Sequence, residues 1–159
     1  MNPLGPIVIL LSLAVSLMLL MLPLPDWAAI YRPDFVALTL IYWSLALPTR
    51  IGLWVAFVCG LFVDVTTGGL LGQHGLALVV ILFINLNVHQ RIRVMSLPHQ
   101  ALYVLALLLL DQALVLMVEG MVGRQPPLSA YFGAPLIGMF LWPWIFLLLR
   151  HLRRRVHLQ

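Results

Sequence analysis

The side chains able to do chemistry are few and far apart. Five acids (Asp26, Asp34, Asp64, Asp111 and Glu119) and five histidines are spread over 159 residues. Acid–base or metal chemistry needs two or more such groups within reach of one another. None of the spacings that arrange this is present: no H-E-x-x-H, no G-x-S-x-G and no phosphate-cradling glycine loop. His151 and His157 lack metal-ligand spacing, and no other ligand stands near them in the chain. No catalytic set, metal or cofactor is therefore expected. What remains is recognition by polar groups set singly in apolar chain. "CGLFVDVTTGGLLGQHG", Cys59–Gly75, carries Asp64, and "VLALLLLDQALVLMVEG", Val104–Gly120, carries Asp111 and Gln112.

The elements that position them follow from composition. The chain is 63% hydrophobic and 9% charged, with a mean hydropathy of +1.07. A water-soluble domain has about a quarter of its residues charged, so the solvent here is largely lipid. Length allows one domain. A membrane-crossing helix needs about 20 mostly apolar residues, and Leu4–Leu24, Leu70–Val88, Pro98–Val118 and Ser129–Leu149 supply them. Phe35–Val63 is a longer apolar stretch broken by "LPTRIG" at Leu47–Gly52. Proline removes a helix donor there and disfavours helix at the residue before it, and Arg50 resists lipid. The expected fold is an all-α integral membrane domain over 1–159, with six transmembrane helices at roughly 4–24, 35–48, 51–67, 70–88, 98–118 and 129–149. The first run has no basic leader and no A-x-A-like cleavage site, so it is expected to be a retained helix. "QPPL", Gln125–Leu128, is expected to turn before the last helix, and the single cysteine, Cys59, to be a packing residue.

Six crossings put both termini on one side, and the arginines choose it. With the termini cytoplasmic, Arg50, Arg91, Arg93, Arg150, Arg153, Arg154 and Arg155 lie inside, against Arg32 and Arg124 outside. The acids fall at or near the outer face. The tail "RHLRRRVHLQ" makes Arg150, Arg153, Arg154 and Arg155 an anionic-lipid contact worth roughly 1 kcal/mol per basic residue. It is not a nucleic-acid site.

A charged group at mid-membrane costs about 2.5–3.5 kcal/mol and needs a neighbour or water. Were the third helix to end at Val63 it would span only about 20 Å, so it is expected to continue past Asp64. Gly60, Asp64 and Gly68 then share a face whose small residues allow close helix approach. Asp64 is either an interfacial acid ending that helix, or a buried group paired with Arg32, Gln73 or His74 in an outward-facing cavity, or a catalytic acid. Asp111, Val115 and Glu119 fall on one face four residues apart, and that stripe should face protein or water. It is an interhelical hydrogen-bond group, or a contact for a partner's helix or a shared pocket. Asn85, His89 and Arg93 also share a face and are expected to form a snorkelling exit at a helix C-terminus, where the dipole favours cations. Pro143, between Trp142 and Trp144, should kink the last helix.

The chain resembles the proteobacterial family of rod shape-determining MreD proteins over its whole length, most strongly over 31–74 and 139–155. The residues that carry the likeness are Arg32-Pro33, Ile41-Tyr42-Trp43, Leu45-Ala46-Leu47-Pro48 and Arg50. To these are added Gly60-x-x-x-Asp64, Gly68, Leu71-Gly72 and Trp142-Pro143-Trp144. The resemblance gives no support to a role for Asp34. It implies a non-enzymatic inner-membrane subunit of the bacterial cell-elongation (rod) complex, serving rod shape and lateral peptidoglycan synthesis. By the same resemblance, members bind the bitopic protein MreC, and through it meet MreB filaments, RodZ, the RodA glycosyltransferase and a class B penicillin-binding transpeptidase. It also implies a membrane fold similar to the substrate-binding subunits of energy-coupling-factor transporters.

Together these lead to the expectation that MreC packs near the outer ends of spans two, three and five, and that neutralising Asp64 and Asp111 weakens the association. Partner or pocket candidates are Arg32, Asp64, Gln73, His74, Asp111, Gln112, Glu119 and Trp142. The alternative is a small-molecule-binding or transport membrane protein, with Asp64, Gln73, His74 and Trp142 as pocket groups.

Overall fold

The computed structural model describes residues 4–124 and 128–156, so most of the expected turn at Gln125–Leu128, and His157, lie outside the described residues. The described chain is all-α, with elements α1 (Leu4–Leu20), α2 (Asp26–Ala29), α3 (Phe35–Ala46), α4 (Leu53–Thr67), α5 (Gln73–Arg93), α6 (Leu97–Met121) and α7 (Leu128–Arg155). Helix α5, helix α6 and the stretch Tyr131–Arg155 of α7 are long and apolar enough to cross a membrane, while α1, α3 and α4 are shorter apolar helices. The protein is a helical membrane protein.

Helix α3 is the axis. Val36 to Leu45 are all buried, and α3 packs against α1, α5, α6 and α7. A helix that is apolar all round belongs in the interior, which is why "FVALTLIYWSLA" shows no polar face. At 1.5 Å per residue α3 is about 18 Å long, well short of a hydrocarbon core of about 30 Å. Its neighbours shield it from lipid, so that thickness does not set its length. Around it α4 packs on α1 and α5, α5 on α6, and α6 on α7. Between α1 and α7 runs an apolar groove of about 560 Å³ floored by Phe35 and Thr39. Aromatic rings lock α3 to α7: Tyr42 meets Phe146 edge-on at 5.5 Å, and Phe146 lies 5.9 Å from Trp142.

The break at "LPTRIG" separates α3 from α4 as the proline predicts. Several other expectations are corrected. Helix α1 ends at Leu20 rather than Leu24 and α2 forms separately, because Pro23 and Pro25 bar helix continuation. Gly68 is not a packing residue. It ends α4 with φ +66°, has open space around it, and its N–H donates to the Asp64 carbonyl. Gly60 does mediate close approach: a Cβ there would lie 2.3 Å from the Cα of Gly75, so α4 and α5 touch backbone to backbone. Asn85 is not part of a solvent exit. It is fully buried, its Nδ2 donates to Ile41 O at 3.2 Å and Ser44 Oγ at 2.5 Å, and its Oδ1 accepts from Tyr103 OH at 3.0 Å. One amide thus joins α3, α5 and α6. Helix α7 runs through both Pro135 and Pro143.

The C-terminal ends of α1, α4 and α6 and the N-terminal ends of α3, α5 and α7 meet at one end of the bundle. All five acids lie at or toward it, so it is the acid end. Arg50, Arg91, Arg93 and the arginines of the α7 tail mark the opposite, arginine end.

Candidate functional site

Asp64 lies in the last turn of α4 with 1% of its surface exposed. Its Oδ2 accepts from Gly72 N at 2.7 Å, and its Oδ1 accepts from His74 N at 3.0 Å and from His74 Nδ1 at 2.7 Å. The first N–H groups of a helix have no intrahelical acceptor, and a carboxylate at that end also meets the positive pole of the helix dipole. Asp64 therefore caps α5 from the end of α4. Gly72, the N-cap of α5 at φ +96°, lets the loop double back far enough to reach it. A carboxylate can only accept, so the imidazole carries its proton on Nδ1.

Arg32, expected as a partner for Asp64, is engaged elsewhere. Its guanidinium donates from Nη1 to Leu20 O and from Nη2 to Leu22 O, at the C-terminus of α1, where carbonyls lack partners. Gln73 also turns away from Asp64: its Nε2 donates to Glu119 Oε1 at 3.3 Å, and Tyr131 OH donates to Glu119 Oε2 at 2.9 Å. Glu119 thereby links α5, α6 and α7.

Beside these bonds opens a recess of about 190 Å³ lined by Arg32, Pro33, Asp34, Val63, Thr67, His74, Leu108, Asp111, Gln112, Val115 and Pro135, among others. Asp111 is 4% exposed, and its Oδ1 has no hydrogen-bond partner among the described residues; nor has Arg32 Nε. A buried polar group in that state carries a desolvation cost of about 1–3 kcal/mol, more when charged. The acidic stripe on α6 thus faces protein: Asp111 and Val115 are buried, and Glu119 is tied to its neighbours.

The structure brings Arg32, His74, Asp111 and Gln112 to one recess, places Asp64 against His74 at its edge, and sets Gln73 and Glu119 in a separate link. Trp142 is not part of it. That indole is fully buried against Phe146 in the core, with no hydrogen-bond partner for its Nε1 among the described residues. Arg150, Arg153, Arg154 and Arg155 lie at the far end, where Arg155 Nε donates to His151 Nε2 at 2.9 Å. Among the described residues no group of three or more His, Cys, Asp or Glu is placed to hold a metal.

Two participants were not singled out from the sequence. Asp34 lines the recess and caps α3 by accepting from Ala37 N at 2.9 Å. The signal for it was local, an Asp immediately before an apolar run. Tyr131 had no such signal, since only the docking of α7 on α6 brings its hydroxyl to Glu119.

Comparison with known proteins identifies the family. The profile of the family described as rod shape-determining protein MreD matches residues 1–152. The rod shape-determining protein MreD of Haemophilus influenzae is 32% identical over 155 residues, covering 94% of this chain and 93% of that one. No solved structure gives a significant match. With the family profile covering nearly the whole sequence, the chain belongs to the MreD family of rod shape-determining proteins.

Proposed function

We propose that this chain is a non-enzymatic subunit of the bacterial cell-elongation complex that binds MreC through its acid end. It lies in the inner membrane, crosses it six times with both termini cytoplasmic, and follows the helix arrangement of energy-coupling-factor substrate-binding subunits. Through MreC it joins MreB, RodZ, RodA and the class B transpeptidase in sustaining lateral peptidoglycan synthesis. Family membership supports the role in rod shape. The gathering of Arg50, Arg91, Arg93 and the tail arginines at one end supports the orientation. The burial of α3 supports six crossings, because a short helix surrounded by longer ones need not match the lipid thickness.

The observation that carries the contact is the acid-end recess, where Asp34 and Asp111 line one opening and Asp111 keeps an unpartnered oxygen. A basic or hydrogen-bonding side chain from the juxtamembrane segment of MreC would satisfy it at the ends of α3, α4 and α6. The recess, at about 190 Å³, presents one unpartnered Asp111 oxygen, which suits a single inserted side chain and favours a protein contact over transport or ligand storage.

The test is co-purification of tagged MreC with Asp111→Leu at normal expression. Recovery is expected to fall by at least about tenfold, the equivalent of one lost charged hydrogen bond. Recovery at the wild-type level would refute the contact.

A further inference from the structure

At the arginine end a second cavity, about 210 Å³, lies between α3, α5, α6 and α7, lined by Tyr42, Arg93, Gln100, Phe146, Arg150 and Arg153, among others. Three guanidiniums border it and no acid does. None of the five acids lies between Phe35 and Val63, between Val65 and Leu110, or beyond Glu119, so no Asp or Glu side chain at that end neutralises them. Gln100 is 3% exposed. Its Nε2 donates to Ile92 O at 3.0 Å and Met95 O at 3.1 Å, closing the end of α5. Both partners are carbonyl oxygens, so the amide orientation is fixed. The atom left over is the acceptor Oε1, which has no partner among the described residues.

We propose that this cavity binds a phosphate group that carries a hydroxyl or ammonium donor beside it. The arginines take the phosphate oxygens, as planar guanidiniums do in paired hydrogen bonds, and Gln100 Oε1 accepts from the adjacent donor. A membrane phospholipid headgroup has this chemistry: phosphatidylglycerol offers a phosphodiester and neighbouring hydroxyls, whereas phosphatidylcholine offers the phosphodiester with no donor. A soluble glycerol phosphate shares the recognition elements. The site is narrower than attraction of the whole tail to a charged surface, because it uses Arg93, Arg150 and Arg153 and excludes Arg154 and Arg155.

The test is native mass spectrometry and thermal unfolding of the purified full chain in detergent, titrated separately with phosphatidylglycerol, phosphatidylcholine and glycerol 3-phosphate. One retained phosphatidylglycerol per chain is expected, with protection greater than that from phosphatidylcholine. At roughly fivefold per arginine, Arg150→Gln/Arg153→Gln should weaken binding by more than about tenfold. Arg154→Gln/Arg155→Gln, equal in charge removed, loses only general attraction to the charged lipid and should weaken binding at least about threefold less than the first pair. Gln100→Leu should reduce the preference for phosphatidylglycerol over phosphatidylcholine, a ratio that a general loss of stability does not change. Protection by glycerol 3-phosphate without retention of phosphatidylglycerol would keep the chemistry and identify a soluble source. Equal weakening by the two double variants, or equal binding of the two lipids by wild type, would overturn the proposal.

Discussion

His74 Nδ1 stands 2.7 Å from Asp64 Oδ1, and the same oxygen takes the His74 backbone N–H at 3.0 Å, so one residue grips the carboxylate twice. With Gly72 N on the other oxygen, the acid in the last turn of α4 holds the start of α5. Hydrogen bonds to a charged group contribute about 1.5–3 kcal/mol each in net terms. Asp64→Ala should therefore destabilise the protein by at least about 3 kcal/mol, and His74→Ala, which spares both backbone donors, by about 1.5 kcal/mol. Cys59, the chain's single cysteine and buried one turn earlier on α4, gives the readout: onset of labelling by a thiol-reactive dye on heating should move down in that order. Unchanged labelling in Asp64→Ala would show that the cap is dispensable.

The close crossing of α4 and α5 makes a sharper demand on one position. A Cβ on residue 60 would meet Gly75 Cα at 2.3 Å and Gly75 N at 2.4 Å. Both are backbone atoms that cannot rotate away, so Gly60→Ala must force the helices apart. A loss of about 3 kcal/mol or more is expected, in the range reserved for broken core packing. Gly68→Ala is the control. It has open space but a φ of +66°, and should lose only the roughly 1–2 kcal/mol of a left-handed non-glycine residue. Equal losses at the two sites in thermal unfolding would contradict the backbone contact.

What the sequence discloses here depends on whether the determinant is local. The break between α3 and α4 is written in Pro48 and its neighbours. The helical membrane class is written in the scarcity of charge, and the α6 stripe in the spacing of Asp111, Val115 and Glu119. The cap on α5 is different. Asp64 and His74 are ten residues apart, and they meet only because two left-handed glycines fold the loop back. Gly68 misled for the same reason: its spacing from Gly60 fits a shared face, but positive φ ends the helix before that face continues. Asn85 misled because its spacing from His89 and Arg93 reports only which side of α5 it occupies. The lengths of the neighbouring helices decide that this turn lies in the core.

At Asn85 that core placement is testable. Replacing it by Leu keeps the size but removes one acceptor and two N–H donors, leaving Tyr103 OH, Ser44 Oγ and Ile41 O without this partner at the meeting of α3, α5 and α6. Interhelical hydrogen bonds inside membranes average about 0.6 kcal/mol with a maximum near 1.7. Asn85→Leu removes several at once, so a loss of about 1–2 kcal/mol is expected in a denaturing-detergent titration. Arg91→Leu, near the same end of α5 and exposed, should leave the midpoint within about 0.5 kcal/mol of wild type. Equal midpoints for Asn85→Leu and wild type would mean that the amide does not join the helices.

Glu119 supplies the last case. It accepts from Tyr131 OH at 2.9 Å and from Gln73 Nε2 at 3.3 Å, so the last turns of α6 bond to the first turns of both α7 and α5. The shorter bond should be the stronger. Tyr131→Phe deletes only the hydroxyl and Glu119→Met deletes both acceptor oxygens, so a double-mutant cycle on the pair isolates their bond. A coupling energy of about 0.5–1.5 kcal/mol is expected, against a smaller value for Glu119 with Gln73. This link does not line the recess that carries Asp111. Tyr131→Phe should therefore lower stability while leaving MreC recovery unchanged, and Asp111→Leu should lower MreC recovery. A Tyr131→Phe variant that lost MreC as fully as Asp111→Leu would mean that the two variants act through a common loosening of the acid end, and not through a contact at the recess.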